Sequence, residues 1–402
     1  MSRKVAGERP APTPAADRRE GPIPYGHQSI SEDDIAAVAS VLRSDWITQG
    51  PAVERFEQSV CRYTGAKYAV AVANGTAALH LLYLAAGLKA GDELITSPLT
   101  FAATANAALY CGAKPVFADI DPSTLNIDCK AVEKKITKKT KAIAPVHFAG
   151  LPADLAPLRE LAQKHGLLLL EDAAHALGAV YQGEKIGASG HSILSFHPVK
   201  HITTGEGGMV LTEDADIAKQ CRLLRTHGIS RDVPNPYGAE AGWYYDMTSL
   251  GFNYRITDIQ CALGASQMQR LDSFLAARRR IAKRYDEELG TLDQLEVPAV
   301  PRGLEHAYHL YPLRLNLDQL SCNRDQFFSQ LRSSGILANV HYQPVYRLSY
   351  YQKLGYKAGL CPQTEKQFER LISIPIFPDL KEEDQTHVIE QIGRLCKKYA
   401  RS

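Results

Sequence analysis

The sequence is short of the features that would assign it to several common classes. It holds no stretch of about 18 consecutive apolar residues, so no membrane partner is expected. It has no surplus of charge. Forty-six Lys and Arg stand against 44 Asp and Glu, a formal net charge of +2, which excludes a broad basic field for nucleic acid. The eight cysteines (Cys61, Cys111, Cys129, Cys221, Cys261, Cys322, Cys361 and Cys396) form no C-x-x-C pair and no zinc-like spacing. They read as reduced thiols of a cytoplasmic protein. Residues 1–21 are rich in Arg, Ala, Pro and Glu and lack the apolar stretch of a secretory signal, so a disordered extension is expected. No G-x-G-x-x-G turn follows the first predicted strand, which argues against a nicotinamide enzyme. What is there is 402 residues, 45% hydrophobic and 22% charged, the balance of a globular protein of two or three domains.

Ser31, with Asp34 three residues on, predicts a capped helix over 35–42, and a second helix is predicted over 52–63. Between about 67 and 213, short apolar strands alternate with helices. The strands are expected at 68–73, 93–96, 114–118, 141–146, 167–170, 192–196 and 208–212, and the helices at 77–86, 102–111, 131–136 and 155–165. Such a pattern predicts an α/β fold with a mostly parallel sheet covered on both faces. A long charged helix over 266–289 follows. Then come strand-like 308–315, a helix over 324–333, strand-like 337–341 and a last helix over 382–399, which together read as a small α+β unit. The expected organisation is an extension at 1–21, an N-terminal arm at 22–50, a large domain at 51–265, and a connecting helix with a small C-terminal domain at 266–402.

Three segments suggest chemistry. Leu167-Leu-Leu-Leu-Glu-Asp-Ala-Ala-His175 ends an apolar strand on an acid, at the sheet edge where open α/β folds bind ligands. A cap after a strand explains Asp172 equally well. Ser195-Phe-His-Pro-Val-Lys200 leads into Thr203-Thr-Gly-Glu-Gly-Gly208, placing a lysine before a glycine-rich turn that lets backbone approach a flat ligand. Alone, Lys200 reads as a surface lysine. Ala73-Asn-Gly-Thr-Ala-Ala-Leu79 lies between a strand and a helix, where free N–H groups bind phosphate and where a plain turn is the simpler reading. Together they supply a phosphate cradle, an acid and an amine, the set that pyridoxal 5'-phosphate requires. His197 and His201 have metal-like spacing, but Pro198 and Lys200 argue against a cation there, and no metal is expected.

The chain resembles the DegT/DnrJ/EryC1/StrS family of sugar aminotransferases from Tyr25 onward. The resemblance is carried by Pro24-Tyr-Gly-His-Gln-Ser, Asp45-Trp-Ile-Thr-Gln-Gly, Pro98-Leu-Thr-Phe-Ala-Ala-Thr-Ala-Asn106, Ser195 to Gly208, Gly251-Phe-Asn-Tyr-Arg-Ile-Thr257 and Val340-His-Tyr-Gln-Pro-Val-Tyr346. It implies a fold-type I transferase, with a mostly parallel sheet in a large domain and a smaller C-terminal α+β domain. The implied cofactor is pyridoxal 5'-phosphate and the implied amino donor is L-glutamate. The implied acceptor is a nucleotide-linked 4-keto-6-deoxy sugar, and the assembly a homodimer with shared sites. Within the family the chain is most similar to the branch whose product is a UDP-linked 4-amino-4,6-dideoxy-N-acetyl-β-L-altrosamine, of pseudaminic acid biosynthesis.

Carried over residue by residue, the resemblance gives Lys200 as the lysine that bonds the cofactor aldehyde and Asp172 as the acid facing the ring nitrogen. Phe101 stacks on the ring and His175 sits near its hydroxyl. Gly75, Thr76 and Ser195 hold the phosphate, with Asn253 reaching it from the other subunit. Tyr25, the segment Asp45, Trp46, Ile47 and Thr48, and the segment Tyr342, Gln343, Pro344 and Val345 match the sugar-nucleotide side. Arg231 and Arg255 are candidates for the diphosphate. A related dehydratase branch has histidine in place of the lysine, so Lys200 favours transamination over dehydration. Lys200, Asp172 and the phosphate turn together argue against a non-catalytic sensor.

Overall fold

In the computed structural model, which describes residues 21–238 and 240–401, the chain enters its first helix at Ser31. The extension expected at 1–21 falls, apart from Gly21, outside the described residues. The Ser31 hydroxyl accepts from the Asp34 N–H, and the Asp34 carboxylate accepts from the Ser31 N–H, so α1 (Glu32–Leu42) opens on a reciprocal cap. Helix α2 (Pro51–Thr64) has Gly50 at its cap and no side chain there to use. The distant Asp258 substitutes: its carboxylate accepts from the N–H groups of Gly50 at 2.7 Å and Ala52 at 2.8 Å, which pins the N-terminal arm to the body.

The alternation then follows as β1 (Tyr68–Val72), α3 (Gly75–Ala85), β2 (Glu93–Thr96), α4 (Ala103–Tyr110), β3 (Lys114–Phe117), β4 (Thr140–Ala144), α5 (Leu155–His165), β5 (Leu168–Asp172), β6 (His191–Ser195), β7 (Gly208–Thr212) and α6 (Ala215–Leu224). One seven-stranded sheet results, in the order β1-β7-β6-β5-β4-β2-β3. Every pairing is parallel except those of β7, which runs antiparallel to both β1 and β6. Residues of the central strands are apolar on both faces. Ala71, Leu194 and Leu211 pack to one side, and Val70, Val72 and Ile193 to the other, each beneath its own layer of helices.

Past the sheet the chain departs from the expected single helix over 266–289. It forms α7 (Asp258–Met268) and α8 (Leu271–Leu289), with a break at Arg270, whose backbone leaves the helical region. The break has a tertiary cause. Gln267 and Arg270 both reach back to the buried Asp34 carboxylate, fixing the end of α7 against α1. The remainder builds a second core around β8 (Tyr311–Leu315), α9 (Arg324–Ser333), β9 (Leu371–Ile374) and α10 (Glu382–Tyr399). The strand expected from 308 starts only at Tyr311, because Tyr308 sits at φ 49 and turns the chain. Of 337–341, only Leu337 remains in a strand, a two-residue pairing of Ile336–Leu337 with Ile23–Pro24. No helix among the described residues is long and apolar enough to cross a membrane.

Candidate active site

Sheet direction decides where the polar residues meet. Parallel strands β1, β2, β5 and β6 bring their carboxyl ends to one edge, carrying Asn74, Thr100, Asp172 and Ser195 on or just after those ends. Strand β7 runs the other way, so its beginning arrives at the same edge with the turn that precedes Gly208. The packing there leaves no room for side chains. A Cβ on Gly208 would lie 2.3 Å from the Asn74 carbonyl oxygen and 2.7 Å from the Gly75 nitrogen. A Cβ on Gly75 would lie 3.0 Å from the Ser195 Cβ. Asn74 caps α3 by accepting from the Ala77 N–H at 2.8 Å, which leaves the N–H groups of the first turn directed outward.

These ends wall a cavity of about 630 Å³. Asp172 lies on its floor, 5% exposed, and is held on both oxygens: one accepts from the Thr104 hydroxyl at 2.7 Å, the other from the Ala174 N–H at 3.1 Å. Lys200 follows a short turn closed by its own N–H on the His197 carbonyl. The side chain is partly exposed along the wall, while its amine is desolvated. That desolvation is the main cause of a pKa lowered to about 7. The Asp172 carboxylate opposes the shift, and the Arg278 guanidinium adds to it. The Lys200 Nζ is 3.4 Å from His309 Nε2. His175 lies beside His309 with ring centres 4.3 Å apart and planes tilted by 47°, and its Nε2 is 3.3 Å from the Tyr342 hydroxyl. Burial, and then the nearby Lys200 cation, hold both imidazoles well below their ordinary value and so neutral. The Nδ1 atoms of His175 and His309 are buried without a partner.

Of the residues singled out from sequence, Tyr25, Gly75, Thr76, Phe101, Asp172, His175, Ser195, Lys200 and Tyr342 line this cavity. Phe101 stands at the mouth, 61% exposed. The others lie elsewhere in the single chain. Asp45, Trp46, Ile47, Thr48 and Asn253 are on the surface. Thr48 bridges to Thr257 and the Asp258 N–H donates to the Ile47 carbonyl, while Asn253 bridges to Thr226. Gln343 is exposed, and Pro344 and Val345 are buried; Val345 packs in a side cluster with Phe117 and Tyr346. Arg231 bonds the Gly242 carbonyl, and Arg255 lines a separate cleft. His201 is turned away from His197, its Nε2 on the Ala307 carbonyl.

Sequence reasoning passed over Thr104 and His309. Thr104 stood inside a quoted segment, and its place one helical turn after Thr100 is the signal that was available. His309 had none, since it sits in what read as a plain strand.

With this geometry in view, comparison with known proteins is direct. Residues 28–393 match the DegT/DnrJ/EryC1/StrS aminotransferase family. The chain is 40% identical over 378 residues to the spore coat polysaccharide biosynthesis protein SpsC of Bacillus subtilis, covering 93% of this chain and 97% of the relative. Among solved structures it is similar to Helicobacter pylori PseC, an aminotransferase involved in the biosynthesis of pseudoaminic acid. Identity is 32% and the TM-score 0.88, over 94% of this chain and 100% of PseC. It is also similar to Spr1654 of Streptococcus pneumoniae, described as a sugar aminotransferase, in its pyridoxal phosphate form. Identity there is 30% and the TM-score 0.87, over 94% and 99% of the two chains. The chain belongs to the DegT/DnrJ/EryC1/StrS family. It is a fold-type I sugar aminotransferase that uses pyridoxal phosphate.

The residues present fit that cofactor. The glycine-lined turn leaves outward N–H groups beside the Ser195 hydroxyl for a phosphate. At the opposite end, a carboxylate fixed by Thr104 faces the cavity to pair with a protonated ring nitrogen. An amine about half uncharged near pH 7 would be available to an aldehyde, and the unpartnered His175 Nδ1 would take a polar group.

Proposed function

We propose that this member of the DegT/DnrJ/EryC1/StrS family moves the amino group of L-glutamate to C4 of UDP-2-acetamido-2,6-dideoxy-β-L-arabino-hexos-4-ulose. The product is UDP-4-amino-4,6-dideoxy-N-acetyl-β-L-altrosamine, and the enzyme works as a cytoplasmic homodimer. The observation that carries the reaction type is the convergence of the Lys200 amine, the Asp172 carboxylate and the Gly75–Ser195 turn on one cavity. The similarity to PseC supports the sugar.

In this reading Gly75, Thr76 and Ser195 hold the cofactor phosphate, Phe101 covers its ring and His175 meets its hydroxyl. When bound, pyridoxal phosphate supplies an electron sink for the carbanion formed at the donor's α-carbon. Asp172, locked by Thr104 and Ala174, keeps a proton on the nitrogen it faces. Lys200 anchors the cofactor and then serves as the base. Because its amine is half uncharged near pH 7, Nζ can take the α-proton of L-glutamate and, in the second half-reaction, deliver a proton to C4 of the sugar. The net balance is one amino group and one hydrogen moved from glutamate to the keto sugar in exchange, through water, for its carbonyl oxygen, leaving 2-oxoglutarate. Both halves use one site, so ping-pong kinetics follow. Tyr25 and Tyr342 meet the sugar nucleotide. Asn253 and the Asp45 to Thr48 segment, exposed on the chain's surface, serve the cavity of the partner.

A second reading keeps the reaction and changes the sugar. The higher identity to SpsC favours a different UDP-, dTDP- or GDP-linked keto sugar destined for a polysaccharide. A panel of these 4-keto-6-deoxy sugars with L-glutamate, read by mass and NMR of the products, decides between them. Turnover only with a dTDP or GDP substrate would remove the first reading.

A further inference from the structure

His309 is delivered to the Lys200 amine by an arrangement that the roles above leave unexplained. Tyr308 at φ 49 turns the chain so that His309, 4% exposed, enters the cavity wall. Its backbone is fixed on both sides. The Leu310 N–H donates to the Ala149 carbonyl at 3.2 Å. The Arg278 NH1 group donates to the carbonyls of Tyr308 at 3.1 Å, His309 at 3.3 Å and Ile376 at 2.9 Å. Arg278 is fully buried and, among the described residues, pairs with no carboxylate, so its guanidinium acts by clamping these carbonyls. The clamp leaves His309 Nε2 within 3.4 Å of the Lys200 Nζ, a separation of the kind that shortens once a reactant is bound.

We propose that His309 is a positioning residue that accepts a hydrogen bond from Lys200 through Nε2, aims the amine into the cavity and steadies the ammonium between proton uptake and delivery. The inference rests on Lys200 as the proton-transferring amine. A lysine freed from its covalent bond has four rotatable bonds, and one fixed N–H removes most of that search. The role requires a neutral imidazole with its proton on Nδ1. The surroundings enforce neutrality: burial comes first, followed by Lys200, His175, His201 and Arg278. Asp172, the acidic group that acts on Lys200, is held by Thr104 and Ala174, so it does not replace His309 as the acceptor that orients the amine.

The test compares His309→Leu, which removes the acceptor, with His309→Gln, which returns one; His309→Ala stands in if the Leu variant does not fold. In cofactor-free enzyme, competitive acetic anhydride labelling with peptide mapping gives the pH midpoint of Lys200. The midpoint falls by about one pH unit in His309→Leu and recovers in His309→Gln, the size of one hydrogen bond to a charged group. In loaded enzyme, kcat for the glutamate half-reaction falls about 10²-fold in His309→Leu. The α-deuterium isotope effect rises, while KM and bound cofactor stay near those of the parent. An unchanged midpoint and isotope effect in a folded His309→Leu protein would overturn the inference while leaving Lys200 as the base. Proton transfer persisting in Lys200→Ala would overturn both.

Discussion

Replacing Lys200 by methionine should stabilise the cofactor-free protein, and the gain should depend on pH in a defined way. The amine titrates near 7 in the fold and at 10.5 when free, chiefly because burial disfavours the charge. Between these values the unfolded chain holds a proton that the native state lacks, so unfolding free energy rises with pH across that window. Below about pH 7 both states carry the proton and the native state bears the whole cost of the buried ammonium. Methionine, similar in length and uncharged, escapes it. At ~1.4 kcal/mol per pH unit the displacement from 10.5 to about 7 sets a ceiling of roughly 5 kcal/mol. Water in the open cavity screens part of that, so an advantage of about 2–3 kcal/mol for Lys200→Met is expected near pH 6, declining through the window and levelling off only above about pH 10.5. Urea unfolding of both cofactor-free proteins at a series of pH values measures it. A difference that stays flat from about pH 6 to pH 10 would refute the reasoning, since it would mean that the amine is not desolvated by the fold.

Other expectations concern single contacts. Asp172→Asn removes the carboxylate that opposes the lowering of the Lys200 pKa, so the amine should titrate below about 7 by the same labelling assay while turnover falls by orders of magnitude; near-normal turnover would show the acid to be misassigned. Gly208→Ala drives a methyl into the Asn74 carbonyl and the Gly75 nitrogen, and should cost at least about 3 kcal/mol in urea unfolding along with most of the cofactor affinity measured by fluorescence. Gly75→Ala meets the Ser195 Cβ at 3.0 Å and its hydroxyl at 3.2 Å, so its loss of affinity should exceed its loss of stability. An inactive Asn253 variant mixed with Lys200→Ala should regain activity, because a mixed dimer holds one site with both defects and one intact; no recovery after confirmed subunit exchange would place Asn253 in its own subunit's site.

What could be read from the sequence was whatever local pattern decides. The Ser31 cap is a matter of four residues, and the apolar runs around Val70, Leu170 and Val210 are strands under any packing. The strand-end acid and the lysine before a glycine-rich turn were legible because each is tied to a strand terminus, and strand termini share an edge. Contacts between distant segments left no such trace. Asp258 caps a helix 206 positions away, which nothing near Ala52 announces. The break at Arg270 is made by Asp34, 236 positions earlier, so the periodic surface of α7 and α8 reads as one helix. His309 meets Lys200 across 109 positions, through a turn at Tyr308 that a strand-like sequence conceals.

The charge arrangement around the cavity explains why so many imidazoles surround one lysine. His175, His201, His309 and His341 are all held below their ordinary value, first by burial, and the Lys200 cation contributes in each case. Were any of them charged near pH 7, it would compete with Lys200 for the Asp172 carboxylate on the floor. Kept neutral, they offer donors and acceptors without altering the count of charges around Asp172. Arg278 is the exception, a cation near neutral pH although burial lowers its pKa to about 9, and among the described residues it bonds carbonyls rather than carboxylates. Its field therefore reaches Lys200 and adds to the burial that releases the proton. The fold thus brings the Lys200 amine to partial deprotonation near neutral pH by desolvation and a distant guanidinium, against the opposing pull of Asp172.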